Sequence, residues 1–296
     1  MIWPMNWAEI AENITASRGE AFAVEQYSSL GGGCINSAFR ISGQGQDYFV
    51  KLNRAHLLDM FVAEAEGLAE LNKPGVICVP EPICYGTTGS QAYIVMQALS
   101  FGGGQRKVMQ LFGEQLAKLH RYTAGQFGWR RDNTIGSTAQ PNRQQDDWVT
   151  FWQQQRLGHQ LRLAQGQGAS HRLLDKGDRL LSHVADFFSD YQPAASLLHG
   201  DLWSGNYAIL KSGEPAIFDP AVYYGDREAD IAMTELFGGF GADFYAAYNA
   251  EWPLDGGYSI RKTFYNLYHI LNHFVMFGGG YGSQAEGMLD RLLAEV

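Results

Sequence analysis

The sequence is poor in cysteine, in basic charge and in long apolar runs. Its three cysteines, Cys34, Cys78 and Cys84, form no CxxC pair. So sparse and odd a set reads as reduced thiols rather than a disulfide framework, which makes the cytoplasm the expected compartment. Lys and Arg number 22 against 31 Asp and Glu, for a formal net charge of −9 and no dense basic stripe. That argues against a nucleic-acid groove or an anionic membrane surface as the main partner. No run approaches the ~20 apolar residues of a membrane span. The opening MIWPMNWAEI has neither a basic start nor an unbroken apolar core, so no secretory signal is expected.

What is present is a chain of 296 residues, 46% apolar and 18% charged, long enough for two lobes with their own cores. Apolar spacing over 6–17 gives a lead-in helix. AFAVEQYSSL, INSAFRIS and DYFVKLN read as strands, joined by the glycine cluster 31–33 and the polar turn GQGQ. MFVAEAEGLAELNKPG reads as a helix stopped by Pro74 and Gly75, and strands follow at VPEPICYG and QAYIVMQAL. From residue 110 helical spacing dominates, as in DDWVTFWQQQRLGHQLRLAQ and HRLLDKGDRLLSHVADFFSDY. One hairpin interrupts it, with LLHGDLWSGNYAIL and EPAIFDP flanking KSGE. Helices resume at Asp230, which reads as an N-cap before IAMTEL. The expected fold is α+β and bilobal. A small antiparallel β-sheet N-lobe with one main helix (1–97) precedes a larger, mostly helical C-lobe (98–296), with glycines 102–104 near the boundary.

Several residues in this frame carry chemistry. Gly31, Gly32 and Gly33 would let backbone N–H groups approach phosphate oxygens, although a plain tight hairpin is an equal reading. Lys51 sits in the apolar strand YFVKLN and Glu64 in the helix after it, and such a pair can hold a lysine against nucleotide phosphates. Glu66 and Glu70 read as exposed helix positions. HGDLWSGN sets Asp201 and Asn206 at D-x-x-x-x-N spacing, in which the Asp takes the attacking hydroxyl's proton and the Asn gives an oxygen to Mg²⁺. Asp219 stands where a second Mg²⁺ ligand belongs. Met96, Gln97, Ala98 and Leu99, between the lobes, would offer backbone groups to the adenine of ATP. Each piece alone could be a turn; five in this order point to phosphoryl transfer.

In its motifs the chain resembles the fructosamine (ketosamine) kinase family, relatives of aminoglycoside and choline kinases within the protein-kinase-like fold. The resemblance runs through GGGCINSAFRI, YFVKLN, MFVAEAEGLAEL, DNTIGSTAQPN, DWVTFWQQQRL, HGDLWSGN, DPAVYYGDREADIAMTELFGGF and YHILNHFVMFGGGY. The DNTIG…Q-x-N…DW segment and the Trp after HGDL point most narrowly to ketosamine kinases. The resemblance implies ATP- and Mg²⁺-dependent phosphorylation of the sugar 3-hydroxyl of a ketosamine, free or on a glycated protein lysine. Gly200 replaces the Arg of the protein-kinase HRD triplet, so activity is not expected to wait on an activation-loop phosphate. DPA replaces DFG at 219–221.

Other positions are less determined by the sequence. Trp203 could stack under the sugar or amine, or pack against its own loop. Asp226 and Glu228 could bind the substrate amine. Cys34 could be a thiol whose oxidation blocks ATP entry, or a small residue filling a hairpin. The histidines of HILNH lack the Glu of HExxH and read as core groups. A monomer and a weak homodimer both fit. Two further readings stay open: the same chemistry on an aminoglycoside, choline or other amino-alcohol, and a non-catalytic nucleotide-binding scaffold.

Overall fold

The computed structural model describes residues 6–31, 35–103 and 106–296. Its first half is built on a five-stranded antiparallel sheet in the order β1-β2-β3-β5-β4. The strands are β1 (Gln26–Leu30), β2 (Ser37–Gly43), β3 (Gln46–Arg54), β4 (Pro82–Thr88) and β5 (Gln91–Gln97), and two helices flank them, α1 (Trp7–Arg18) and α2 (Leu58–Asn72). Alternation along β3 decides which side chain meets which helix. Tyr48, Val50 and Leu52 share a buried cluster with Ile10 and Ile14 of α1. Lys51, between them, therefore turns to the opposite face and reaches α2. β1 starts later than its apolar run suggests, because the Phe22 N–H donates to Thr15 Oγ1 at 3.0 Å and its ring packs edge-on against Tyr48. Residues 21–24 are thus held beside α1 ahead of the ladder, and the Glu25 N–H already reaches the Ser42 carbonyl of β2 at 2.9 Å.

The second half is mostly helical, so the fold is α+β and bilobal. It contains α3 (Arg106–His120), α4 (Trp148–Phe151), α5 (Gly158–Gly166), α6 (His171–Ser182), α7 (Glu228–Leu236), α8 (Ala242–Glu251), α9 (Tyr258–Phe277) and α10 (Tyr281–Leu293). The helix expected over 146–165 is one run whose middle turn, Trp152–Leu157, is widened into a π-helix. That extra residue turns Arg156 fully inward, with its guanidinium 4.0 Å from the Tyr223 ring. Three small ribbons are inserted between the helices. β6 (Asn133–Ile135) pairs with β7 (Thr138–Gln140), β8 (Ser196–Leu198) with β11 (Tyr223–Gly225), and β9 (Tyr207–Ile209) with β10 (Pro215–Ile217).

Two sequence expectations are corrected here. LLHGDLWSGNYAIL is not one strand; it divides into β8 and β9, with the chain turned out between them by the positive φ of +83° at Gly200. Asp230 does not cap α7, which begins at Glu228, because its carboxylate is engaged elsewhere. No helix of the described residues is long and apolar enough to cross a membrane.

Candidate active site

The site starts from a buried lysine. Lys51 is only 5% exposed, and its Nζ lies 2.5 Å from Glu64 Oε1 and 2.6 Å from Asp219 Oδ1. Burial alone would lower the pKa of such an ammonium, but the charges of Asp219 and Glu64 outweigh it and raise the pKa above its ordinary value. The lysine is therefore a fixed positive charge linking the sheet, α2 and the end of the β9–β10 ribbon. Asp219 is held at φ +57°, in the left-handed region that side chains seldom adopt. Such a conformation costs ~1–3 kcal/mol and persists only where surrounding contacts enforce it. Its carboxylate is half-exposed, with Oδ1 on Lys51.

Between β8 and β9 the chain forms the loop that carries Asp201 and Asn206. Asn206 is buried, and its Nδ2 donates to the Asp201 carbonyl at 2.9 Å, to Asp201 Oδ2 at 3.2 Å and to the Asp219 carbonyl at 3.4 Å. One amide thus ties both aspartates together. Burial, with the charge of Asp219 next, raises the Asp201 carboxyl to about 7, against the pull of the Asn206 donor. That places the group where a general base operates near neutral pH.

The loop is held from beneath by a carboxylate missed in the sequence as a site residue. Asp230 accepts the backbone N–H groups of His199 at 2.7 Å and Gly200 at 2.8 Å. Burial would raise its pKa, but the donors around it, His120 foremost, keep it below the usual range. His199 accepts the Asp201 N–H at Nδ1, 3.3 Å away, so its Nε2–H donates to the Phe218 carbonyl at 2.9 Å. This histidine joins the Asp201 loop to the strand end that bears Asp219. Gly200 is demanded sterically: a Cβ there would lie 2.0 Å from the Ala221 carbonyl oxygen. The substitution of Gly for Arg in the HRD position thus buys a backbone approach that no side chain permits.

The remaining sequence candidates divide. Asp226 is fully buried, accepting from Tyr265 at 2.5 Å, Tyr191 at 2.9 Å and the Glu228 N–H at 3.0 Å. Glu228 is equally buried and paired with Arg261 at 2.8 and 3.0 Å. Both are core groups with their oxygens taken, which removes them from the substrate-contact set. Glu66 and Glu70 are not exposed either; Glu66 meets Arg130 and Arg131, and Glu70 accepts from Tyr224 at 2.9 Å. Trp203 is 38% exposed and meets Phe237 edge-on at 6.4 Å, and Phe237 in turn lies 4.9 Å from the His273 ring. At the end of β5, Met96 is buried and Gln97 exposed, with Ala98 and Leu99 half-buried beyond it. Gly31 is exposed, whereas Gly32, Gly33 and Cys34 lie outside the described residues.

A strand lysine paired to a helix glutamate, a D-x-x-x-x-N loop and a second aspartate bridged to both define a phosphotransferase of the protein-kinase-like class. The chain belongs to the fructosamine kinase family, whose model matches residues 6–295. It is 47% identical over 291 residues to a Synechocystis protein named as a ketoamine kinase, spanning 98% of each chain. To the chloroplastic protein-ribulosamine 3-kinase of Arabidopsis thaliana it is 42% identical over 282 residues, covering 94% of this chain and 85% of that one. A crystal structure from Haemophilus somnus, named as a fructosamine-3-kinase, matches with a TM-score of 0.89 at 31% identity over 97% of each chain.

Proposed function

We propose that the chain transfers the γ-phosphoryl group of ATP to the sugar 3-hydroxyl of a ketosamine, free or carried on a glycated protein lysine. The observation that carries this reading is the single bonded set Glu64–Lys51–Asp219–Asn206–Asp201, five residues assembled from four separate stretches of the sequence. In it Asp201 orients the acceptor hydroxyl and takes its proton as the new O–P bond forms and ADP departs. Lys51 holds the nucleotide phosphates, and the backbone from Met96 to Leu99 takes the adenine edge. Residues 1–97 act as the nucleotide lobe and 98–296 as the catalytic and substrate lobe.

The donor set suits Mg²⁺. Asn206 spends its NH₂ on three oxygens, and among the described residues no donor is seen on its Oδ1 or on Asp219 Oδ2. These are the hard oxygens that this ion takes together with phosphates and water. When bound, the ion neutralises charge developing on the β- and γ-phosphates. On the acceptor side, the row Trp203–Phe237–His273 supplies an aromatic wall beside Asp201 that fits a sugar ring and its apolar amine substituent. The scarcity of cysteine supports a reducing, cytoplasmic setting.

The test is incubation with ATP, Mg²⁺ and a panel of synthetic fructosamine, ribulosamine and erythrulosamine adducts alongside aminoglycosides and choline. The phosphate is then located by NMR. Phosphate on a ketosamine O3 is the expected result; turnover confined to the other acceptors would overturn the assignment.

A further inference from the structure

The strained conformation at Asp219 needs something to enforce it, and the contacts that do so come from an unexpected place. Two and three residues after Asp219, the carbonyls of Ala221 and Val222 accept from a largely buried polar network. Gln140 Nε2 donates to the Ala221 carbonyl at 3.0 Å, and Asn133 Nδ2 donates to the Val222 carbonyl at 2.8 Å. Neither amide is free to turn. Gln140 is fully buried, accepts from Tyr268 at 2.7 Å and donates to Asn133 Oδ1 at 2.9 Å. Asn142 also donates to Asn133 Oδ1, at 2.8 Å, and is itself held by the buried Arg156 at 2.7 Å. The same segment reaches α2, the helix of Glu64, through Arg131, which lies 2.9 Å from Glu66 and 2.5 Å from Asp59.

We infer that Asn133 and Gln140 are positioning residues: their side-chain amides fix the Asp219–Val222 backbone and so aim the Asp219 carboxylate at the metal position. The DNTIG…Q-x-N segment then marks the family because it braces the phosphate-side machinery, and not because it reads the acceptor. The physical reason is the low tolerance of such networks. An amide that serves two carbonyl-type acceptors inside the protein cannot be replaced by an acceptor-only or apolar group without leaving a buried oxygen unpaired. In protein kinases the residues after the equivalent aspartate are free to rearrange; here they are bonded on both edges, since the Ala221 N–H donates to the His199 carbonyl at 2.8 Å.

This inference rests on the metal assignment proposed above, and its main readout, metal binding, needs no acceptor. Mn²⁺ binding in the presence of a non-hydrolysable ATP analogue is followed by electron paramagnetic resonance in the wild type, in Gln140→Met and in Asn133→Ser. Folding is checked by near-ultraviolet circular dichroism. Asn133→Ser releases the Val222 carbonyl with the smaller perturbation and serves if the near-isosteric Gln140→Met does not fold. Mn²⁺ affinity is expected to weaken about tenfold in each folded variant. The acceptor KM, measured separately, stays within about twofold and the activating metal concentration rises in step. Unchanged Mn²⁺ affinity, or a loss seen mainly in acceptor KM, overturns the inference. A wild-type chain that binds no Mn²⁺ with nucleotide overturns the metal assignment itself, and this inference falls with it.

Discussion

At the residue scale the decisive group is Asp201, and its environment explains its assignment better than its spacing does. Burial and the neighbouring Asp219 push its carboxyl up to about 7, while Asn206 fixes its orientation. Asp201→Asn keeps the shape and the hydrogen bond but cannot accept a proton. Turnover is expected to fall by about 10²–10⁴-fold with nucleotide affinity retained, as read by steady-state kinetics and calorimetry on the same preparation. Full turnover in this variant would show that the proton goes elsewhere. That Lys51, Asp201, Asn206 and Asp219 meet was legible in the sequence, because Asp201 and Asn206 share one short motif and Lys51 and Asp219 stand in a set order on either side of it. GDREAD was not. It offers three carboxylates in five residues, and which of them serves the loop depends on partners far away in the chain. Tyr191 and Tyr265 claim Asp226, Arg261 claims Glu228, and only Asp230 is left facing the His199 and Gly200 N–H groups.

At the element scale, helix contacts depend on close approaches that no periodicity announces. α3 crosses α8 at Gly113, where an added Cβ would stand 2.2 Å from the Phe244 carbonyl oxygen and 3.0 Å from the Tyr248 nitrogen. On helix propensity alone Gly113→Ala should stabilise by about 1 kcal/mol. Overpacking against backbone reverses the sign, and a net loss of about 1–3 kcal/mol is expected, measured as a shift of the urea midpoint at unchanged slope. A more stable variant would mean that the two helices part easily. Long elements such as α1, α2 and the α4–α5 run were visible from apolar spacing. The ribbon β6–β7 was not: three residues a strand is too short for alternation to register, and many of its contacts are made by the side-chain amides of Asn133 and Gln140. The π-turn that buries Arg156 was hidden for a related reason, since one extra residue leaves a helical pattern nearly intact.

At the scale of the whole molecule, the C-lobe core holds histidines that folding keeps neutral. His269 is 5% exposed, its Nδ1 meets no partner among the described residues, and burial lowers its pKa to about 3. In the unfolded chain the same group titrates near 6.5. Above that pH neither state binds the proton. Between about 6.5 and the folded value only the unfolded state binds it, so its contribution is lost as pH falls. Glu228, raised to about 7, acts in the opposite direction, which makes the total profile a poor test and a difference the better one. The stability gap between wild type and His269→Gln should narrow by about 1.4 kcal/mol per pH unit below 6.5, measured by urea unfolding at pH 7.5, 6.5 and 5.5. A constant gap would show that His269 titrates in the folded protein as it does in the unfolded chain, and a widening one that it is held protonated. The division into a sheet-rich and a helical half was legible at this scale, because most strand-like runs precede residue 100 and helical spacing dominates from residue 110.

On the proposed function, Asn206 and Asp219 converge on one divalent ion next to Asp201. A crystal of the chain with Mn²⁺ and a non-hydrolysable ATP analogue, with the metal located by its anomalous signal, tests it most directly. The expected peak is bonded to Asn206 Oδ1, to the Asp219 carboxylate and to phosphate oxygens, with Asp201 facing the γ-phosphate from the acceptor side. A peak held by other residues, or nucleotide bound with Asp201 turned away from it, would rule that arrangement out.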